Sequence, residues 1–242
     1  MSDLTGRIVV VTGASRGIGA AVANEAARRG AKVVLVGRTR GALDELDDLI
    51  REIGREQAVI APLDLTRREH VDALGGMLFE RFGRTDLLVH AAGEPGILTP
   101  VAHIDPTELQ KVLGVDIVAT QHLIRSFDAL LRKSVQGRAL FLTCEIAEGT
   151  PAYFGMAAAA KAGLEALVRS WSRELRQTSV EACLVDPGRV AGTRTETRRY
   201  PGGSRTELPG PDLIATKMLD LLDAPVPAHE MTVRLQSSER RS

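Results

Sequence analysis

The sequence lacks net charge: Lys plus Arg number 31, Asp plus Glu number 31, and the formal charge is +0. That balance gives no electrostatic case for nucleic acid or an anionic membrane as a partner. Local basic clusters such as Arg198-Arg199 and Arg240-Arg241 are read as solvated surface. Cysteine is scarce as well. Cys144 and Cys183 are too few for a disulfide framework, and no metal site is expected. No apolar run reaches membrane-spanning length. Met1 to Gly6 is polar and carries no apolar signal region. The expected setting is therefore reducing and cytoplasmic. Hairpin turns and long low-complexity linkers are also missing.

What the 242 residues do contain is a repeated alternation of β-branched runs and helix-spaced apolar residues. Ile8 to Val11 suits a strand buried on both faces, and Ala20 to Ala27 suits a helix. Further strands are expected at Lys32 to Val36, Ala58 to Leu63, Asp86 to Ala92, Ala139 to Thr143, Val180 to Val185 and Met231 to Leu235. Between them, Leu43 to Ile53 and Val71 to Phe82 recur at helical spacing, the second weakened by Gly75-Gly76. A long helix starts at Asp105-Pro106 and runs to Leu131. Leu164 to Leu175 and Leu213 to Leu222 give two more. Such a pattern predicts an α/β fold: one Rossmann-like, doubly wound parallel sheet of about seven strands, spanning residues 1–242 as a single domain. Ligands on such a sheet bind at the carboxyl ends of the strands. Thr12, Gly37, Asp64, Ala92, Cys144 and Pro187 all fall there and should share one cleft.

The first strand–helix junction reads T12-G-A-S-R-G-I-G19. Its glycines let backbone approach a diphosphate, and the helix behind it offers free N–H groups and a positive dipole end. Together with Asp64-Leu65, Asp86 to Gly93, Lys161-Ala162-Gly163 and Asp186-Pro187-Gly188, this junction resembles the short-chain dehydrogenase/reductase family. Nearly the whole chain is covered, and the likeness is greatest to the branch around the 3-oxoacyl-carrier-protein reductases. The resemblance implies a dinucleotide held by Gly13, Ser15, Arg16, Gly17, Ile18 and Gly19, by Arg38, Asp64 and Leu65, by Ala91, Ala92, Gly93 and Lys161, and by Pro187, Gly188, Val190 and Thr193. Asp64 stands where the family contacts the adenine amino group. At the end of the second strand Gly37 replaces the acid that would hold a ribose 2′-hydroxyl. With Arg16 and Arg38 nearby, a 2′-phosphate fits better, so NADP(H) is expected over NAD(H). The nicotinamide segment departs from the pattern: Gly192 stands where a threonine is expected, and Thr193 follows one position late.

Family members reduce carbonyls with an asparagine, a serine and a tyrosine four residues before a lysine. The lysine and the cofactor's charge lower the phenol's pKa so that it can protonate the alkoxide. Here Lys161 is retained, but Ala157 stands at the tyrosine position. Cys144 replaces the serine, and Asp116 replaces the asparagine. The family's N-N-A-G segment is H90-A-A-G93, with His90 expected under the cofactor as a structural substitute. Tyr153 lies eight residues before Lys161, about 12 Å along a helix, and so cannot serve at position 157. It is placed in the loop before the helix. His103, in a loop beside the cleft, is a further candidate proton source. Asp116 is expected to pair with Lys161, directly or through water.

Losing a positioned general acid costs about 10²–10⁴ in rate. The first functional reading is therefore an NADP(H)-binding family member with weak or no turnover, acting as a non-catalytic or regulatory subunit. The alternative is an active NADPH-dependent carbonyl or alcohol oxidoreductase with a non-standard proton donor: water, His103 or Cys144. A structural subunit without cofactor is a third. The resemblance implies a homodimer or homotetramer, and it admits a hetero-oligomer with an active homologue. Leu164, Leu167 and Trp171 form an apolar helix face suited to that contact or to the core. Residues 189–211, polar and rich in Gly, Pro, Thr and Arg, are expected to form a mobile lid on the substrate side.

Overall fold

The computed structural model describes residues 2–53, 55–203, 207–223 and 232–236. Seven parallel strands form one sheet: β1 (Ile8–Thr12), β2 (Lys32–Gly37), β3 (Val59–Pro62), β4 (Leu87–His90), β5 (Gly137–Leu142), β6 (Val180–Asp186) and β7 (Thr232–Arg234). Their order is β3-β2-β1-β4-β5-β6-β7. The chain winds outward from β1 in one direction, then returns to β4 and winds in the other. Within the described residues the expected seventh strand runs Thr232–Arg234. Met231, Arg240 and Arg241 lie outside the described residues.

The helices are α1 (Gly17–Arg28), α2 (Arg40–Glu52), α3 (Arg68–Phe82), α4 (Pro106–Leu113), α5 (Ala119–Arg132), α6 (Ile146–Gly149), α7 (Gly155–Glu174), α8 (Arg194–Arg199) and α9 (Pro211–Asp220). Successive strand residues point to opposite faces of the sheet, which divides the core in two. Val9, Val11, Leu35 and Val185 face α1, α2 and α9 through Val22, Leu43, Ile214 and Met218. Val10, Val34, Leu88 and Phe141 face α3, α5 and α7 through Leu74, Phe127, Leu164 and Trp171. Leu164 and Trp171 thus belong to the core. Helix α3 continues through Gly75-Gly76 and packs on α5.

The long helix expected after Asp105 runs without a gap from Pro106 to Arg132 and carries a π-turn in its middle. Asp105 caps α4 by accepting hydrogen bonds from the Thr107 and Glu108 N–H groups. Residues Gly114–Val118 then form a π-turn before α5 begins. The wider turn rotates Asp116 inward, where it is buried, as π-turns at functional sites often do. Helix α7 comes close enough there that a Cβ on Gly163 would meet Ile117 Cδ1 at 2.4 Å. Glycine at 163 is what allows the two segments to approach. Among the described residues, no helix is long and apolar enough to cross a membrane.

Phe127, on α5, is fully buried in the core on that face of the sheet. Phe127→Ala should cost about 3–5 kcal/mol of stability, read as a fall in the midpoint of denaturant unfolding with an unchanged slope.

Candidate functional site

The carboxyl ends of the strands enclose a cleft of about 250 Å³ on both sides of the β1–β4 reversal. Gly13, Ser15, Arg16, Gly17, Ile18, Gly19, Arg38, Asp64, Leu65, Ala91, Ala92, Gly93, Cys144, Lys161, Pro187, Gly188, Val190 and Thr193 all line it. Asp116 and Ala157 are not among the lining residues. Both are buried behind the wall, Ala157 at 5% exposure.

One end of the cleft is built by the β1–α1 turn. Gly13 has φ +69°, and a Cβ there would lie 2.6 Å from Ala92 N. A side chain would push the ends of β1 and β4 apart. Helix α1 begins at Gly17 with no side-chain cap and no acid in its first turn. Its N–H groups and dipole are left for an anion. Arg16 and Arg38 are exposed on the rim. Burial acts to raise the Asp64 carboxyl. The Thr66 N–H at 2.9 Å, the Thr66 hydroxyl at 2.8 Å and the charges of Arg38 and Arg67 outweigh it and hold the group below its usual value. This end suits a dinucleotide: glycine backbone and a free helix terminus for a diphosphate, guanidinium groups for a further phosphate. Among the described residues no cluster of three or more metal-ligating side chains occurs.

Under the cleft floor lies His90, fully buried. Its Nδ1 is 2.8 Å from Thr12 Oγ1, which accepts a long hydrogen bond from the Ala92 N–H. Burial, reinforced by the Lys161 charge, pushes the imidazole down to about 3. It is therefore neutral and structural at ordinary pH. His103 falls in a short turn, Val101–His103, is exposed, and does not line the cleft. Tyr153 sits in the turn before α7 with φ +72° and is 58% exposed, away from the lining.

At the other end stands Lys161, on α7. Its ammonium donates to the Leu142 carbonyl at 3.0 Å and lies 2.7 Å from Asp116 Oδ1. This is direct pairing, without a bridging group. It is a charge contact more than a directed hydrogen bond, because Asp116 Oδ1 gains no well-aligned donor. Asp116 Oδ2 accepts from the Glu94 N–H at 3.4 Å. Truncating either partner of a buried pair strands the other charge, at about 3–5 kcal/mol.

Residues 189–203 close the same end and carry what the sequence reading missed. Helix α8 is capped by Thr193, whose hydroxyl accepts from the Glu196 N–H. Buried Glu196 accepts from Arg189 Nε at 3.0 Å. Buried Glu94 pairs with Arg198 at 3.0 Å and Arg194 at 3.4 Å. The Arg189 guanidinium lies over the Tyr200 ring at 4.4 Å, and Phe154 packs against that ring. Tyr200 lines the cleft, and burial raises its phenol. Arg199 is only 9% exposed and puts Nη1 3.1 Å from Cys144 Sγ. The surface assignment holds for Arg198, which stays exposed while it pairs with Glu94, and fails for Arg199, which turns into the cleft wall.

A family model described as short chain dehydrogenase matches residues 7–202. An uncharacterized oxidoreductase of Staphylococcus aureus strain MRSA252 is 29% identical over 240 residues, covering 97% of this chain and 99% of the relative. Two solved structures superpose closely. A short chain dehydrogenase from Escherichia coli CFT073, complexed with NADPH, has a TM-score of 0.90 at 29% identity, covering 97% of this chain and 99% of that one. Its counterpart from Shigella flexneri 2a, complexed with NADP, has a TM-score of 0.88 at 27% identity, covering 98% and 100%.

Two outcomes follow from this geometry. In unfolded chain His90 titrates near 6.5, and in folded protein near 3. Unfolded protein therefore binds the extra proton between those values, and stability falls as pH drops through that window, by roughly 1 kcal/mol per pH unit. His90→Asn should flatten that slope in urea melts between pH 6.5 and 4. Glu94→Gln should loosen α8, and trypsin should cleave after Arg194 and Arg198 several-fold faster than in unmodified protein.

Proposed function

Because the chain belongs to the short-chain dehydrogenase family, we propose that it binds NADP(H) in this cleft and has lost the family's rapid carbonyl–alcohol chemistry. The bound cofactor would supply a hydride from its nicotinamide ring. The turn from Gly13 to Gly19 and the first N–H groups of α1 hold the diphosphate. Arg16 and Arg38 hold the 2′-phosphate, in the absence of any acid at Gly37. Asp64 keeps Oδ2 for the adenine amino group while Oδ1 accepts from Thr66. Pro187, Gly188, Val190 and Thr193 face the nicotinamide end. The complexes of two structural relatives with NADPH and NADP support this assignment.

The observation that carries the second half is the state of Lys161. A phenol at position 157 would need this ammonium to lower its pKa. Position 157 is alanine, and the ammonium is spent on Asp116 and the Leu142 carbonyl. Cys144 meets Arg199 where a hydroxyl would orient a carbonyl. The chain then acts as a cofactor-loaded, non-catalytic or regulatory subunit in the cytoplasm. It is a homodimer or homotetramer, or the partner of an active homologue, with residues 189–203 and 207–211 in its lid; 204–206 lie outside the described residues.

Arg38→Ala should weaken NADPH binding about tenfold or more and leave NADH binding unchanged, because a charged hydrogen bond contributes about 1.5–3 kcal/mol. Equal affinity for both cofactors in the unmodified protein would contradict the 2′-phosphate seat. The variant combining Ala157→Tyr, Cys144→Ser and Asp116→Asn should raise NADPH-dependent carbonyl reduction by about 10²-fold or more. No gain in a folded, cofactor-binding triple variant would contradict the account of what is missing.

A further inference from the structure

The substrate-side end of the cleft contains a buried cation that the dinucleotide does not require. Residues 189–199 carry four arginines. Arg189 faces Glu196, and Arg194 and Arg198 face Glu94. Arg199, 9% exposed, is different. Among the described residues its only partner is the Cys144 sulfur at 3.1 Å, a weak acceptor, and its buried Nε has no acceptor. Burying a guanidinium without a carboxylate or phosphate costs several kcal/mol. A position that lines a ligand cleft and carries that cost is poised for an anion that arrives from outside.

The geometry points to Arg199 as the seat for the carboxylate of a small monoanionic ligand, held beside Cys144 at the nicotinamide end of the cleft. This deepens the proposed function by naming the class of molecule that would occupy the site, and it rests on that reading only for where the cofactor lies. A guanidinium fork matches a carboxylate through two N–H donors. Glu145 lines the same stretch and bears on the Tyr200 phenol, so one negative charge is accommodated better than two. Leu142, Ile146, Pro187 and Val190 supply apolar wall. The ligand is therefore a short carboxylate with an apolar body. The adenosine-phosphate seat at Arg16 and Arg38 uses none of these residues.

Butyrate, its neutral isostere butyramide and inorganic phosphate are the probes. Each is titrated by calorimetry into the protein alone and into the protein saturated with NADP. Butyrate should bind, butyramide should not, and phosphate should bind more weakly than butyrate. Arg199→Gln should reduce butyrate affinity about 10- to 100-fold, and Arg199→Lys should retain part of it. Cys144 provides a reading without relying on affinity. Cys183 is buried with its thiol pushed up to about 12, so alkylation reports on Cys144. The ratio of iodoacetate to iodoacetamide rates should fall about tenfold in Arg199→Gln, and butyrate should slow alkylation of the unmodified protein. Equal binding of butyrate and butyramide would overturn the proposal. So would stronger binding of phosphate, no binding of butyrate at millimolar concentration, or an alkylation ratio indifferent to Arg199. If NADP fails to bind, the cofactor reading falls, while the butyrate contrast in protein alone still decides the seat. If carbonyl turnover proves rapid, the loss of catalysis falls and the seat stands.

Discussion

A parallel sheet covered on both faces constrains everything else in this protein. Its central strands β1, β2, β4, β5 and β6 are buried along nearly all their length, so they take mostly apolar side chains. Polar chemistry is confined to the edge where the strands stop. Thr12, His90, Leu142 and Asp186 are the residues that end strands there. Each takes part in the polar structure of the edge: Thr12 with His90 and Ala92, Leu142 through its carbonyl to Lys161, Asp186 by accepting from the Gly188 N–H. The reversal of winding between β1 and β4 opens this edge into a cleft, and the two halves of the cleft meet different demands.

The first half is a set of donors with few acceptors: free N–H groups at the start of α1, Arg16 and Arg38. It is organised for phosphate. The second half is a problem of charge. Lys161 is buried in the cleft wall, and its charge needs a counter-charge. Asp116, presented by the π-turn, supplies it. An asparagine there would leave the ammonium without a counter-charge, and in the proposed reading Ala157 and Asp116 form one consistent pair. Glu94 and Glu196 then neutralise three arginines of the segment above. Among the described residues Arg199 is the one of these four arginines without a carboxylate partner, and that asymmetry is the basis of the proposed ligand seat.

Much of this was legible in the sequence. The β-branched runs placed the described strand ends to within two residues, since burial on both faces admits little else. The glycine spacing and the four-residue interval from Ala157 to Lys161 are local signals, and they located both halves of the cleft. Pairing of Asp116 with Lys161 followed from chemistry alone: a buried ammonium deprived of its phenol needs an anion. The π-turn has no local signal in the sequence; it sits where Gly163 lets α7 approach Ile117. Arg199 was misplaced because its partner, Cys144, is 55 residues away in the chain, and a basic dipeptide gives no hint of which way it faces. Tyr200 lies far in sequence from the other cleft residues near Lys161, and only the placement of α8 brings it to the cleft.

The central claim is that this protein holds a reduced cofactor without spending it. The most direct measurement mixes the unmodified protein, loaded with NADPH, with a panel of aldehydes and ketones, including carboxylate-bearing ones, and follows absorbance and fluorescence of the bound nicotinamide through a single turnover. The account predicts tight NADPH binding and oxidation at least about 10²-fold slower than in the Ala157→Tyr, Cys144→Ser, Asp116→Asn variant. Rapid oxidation by the unmodified protein on any of these carbonyls would contradict it.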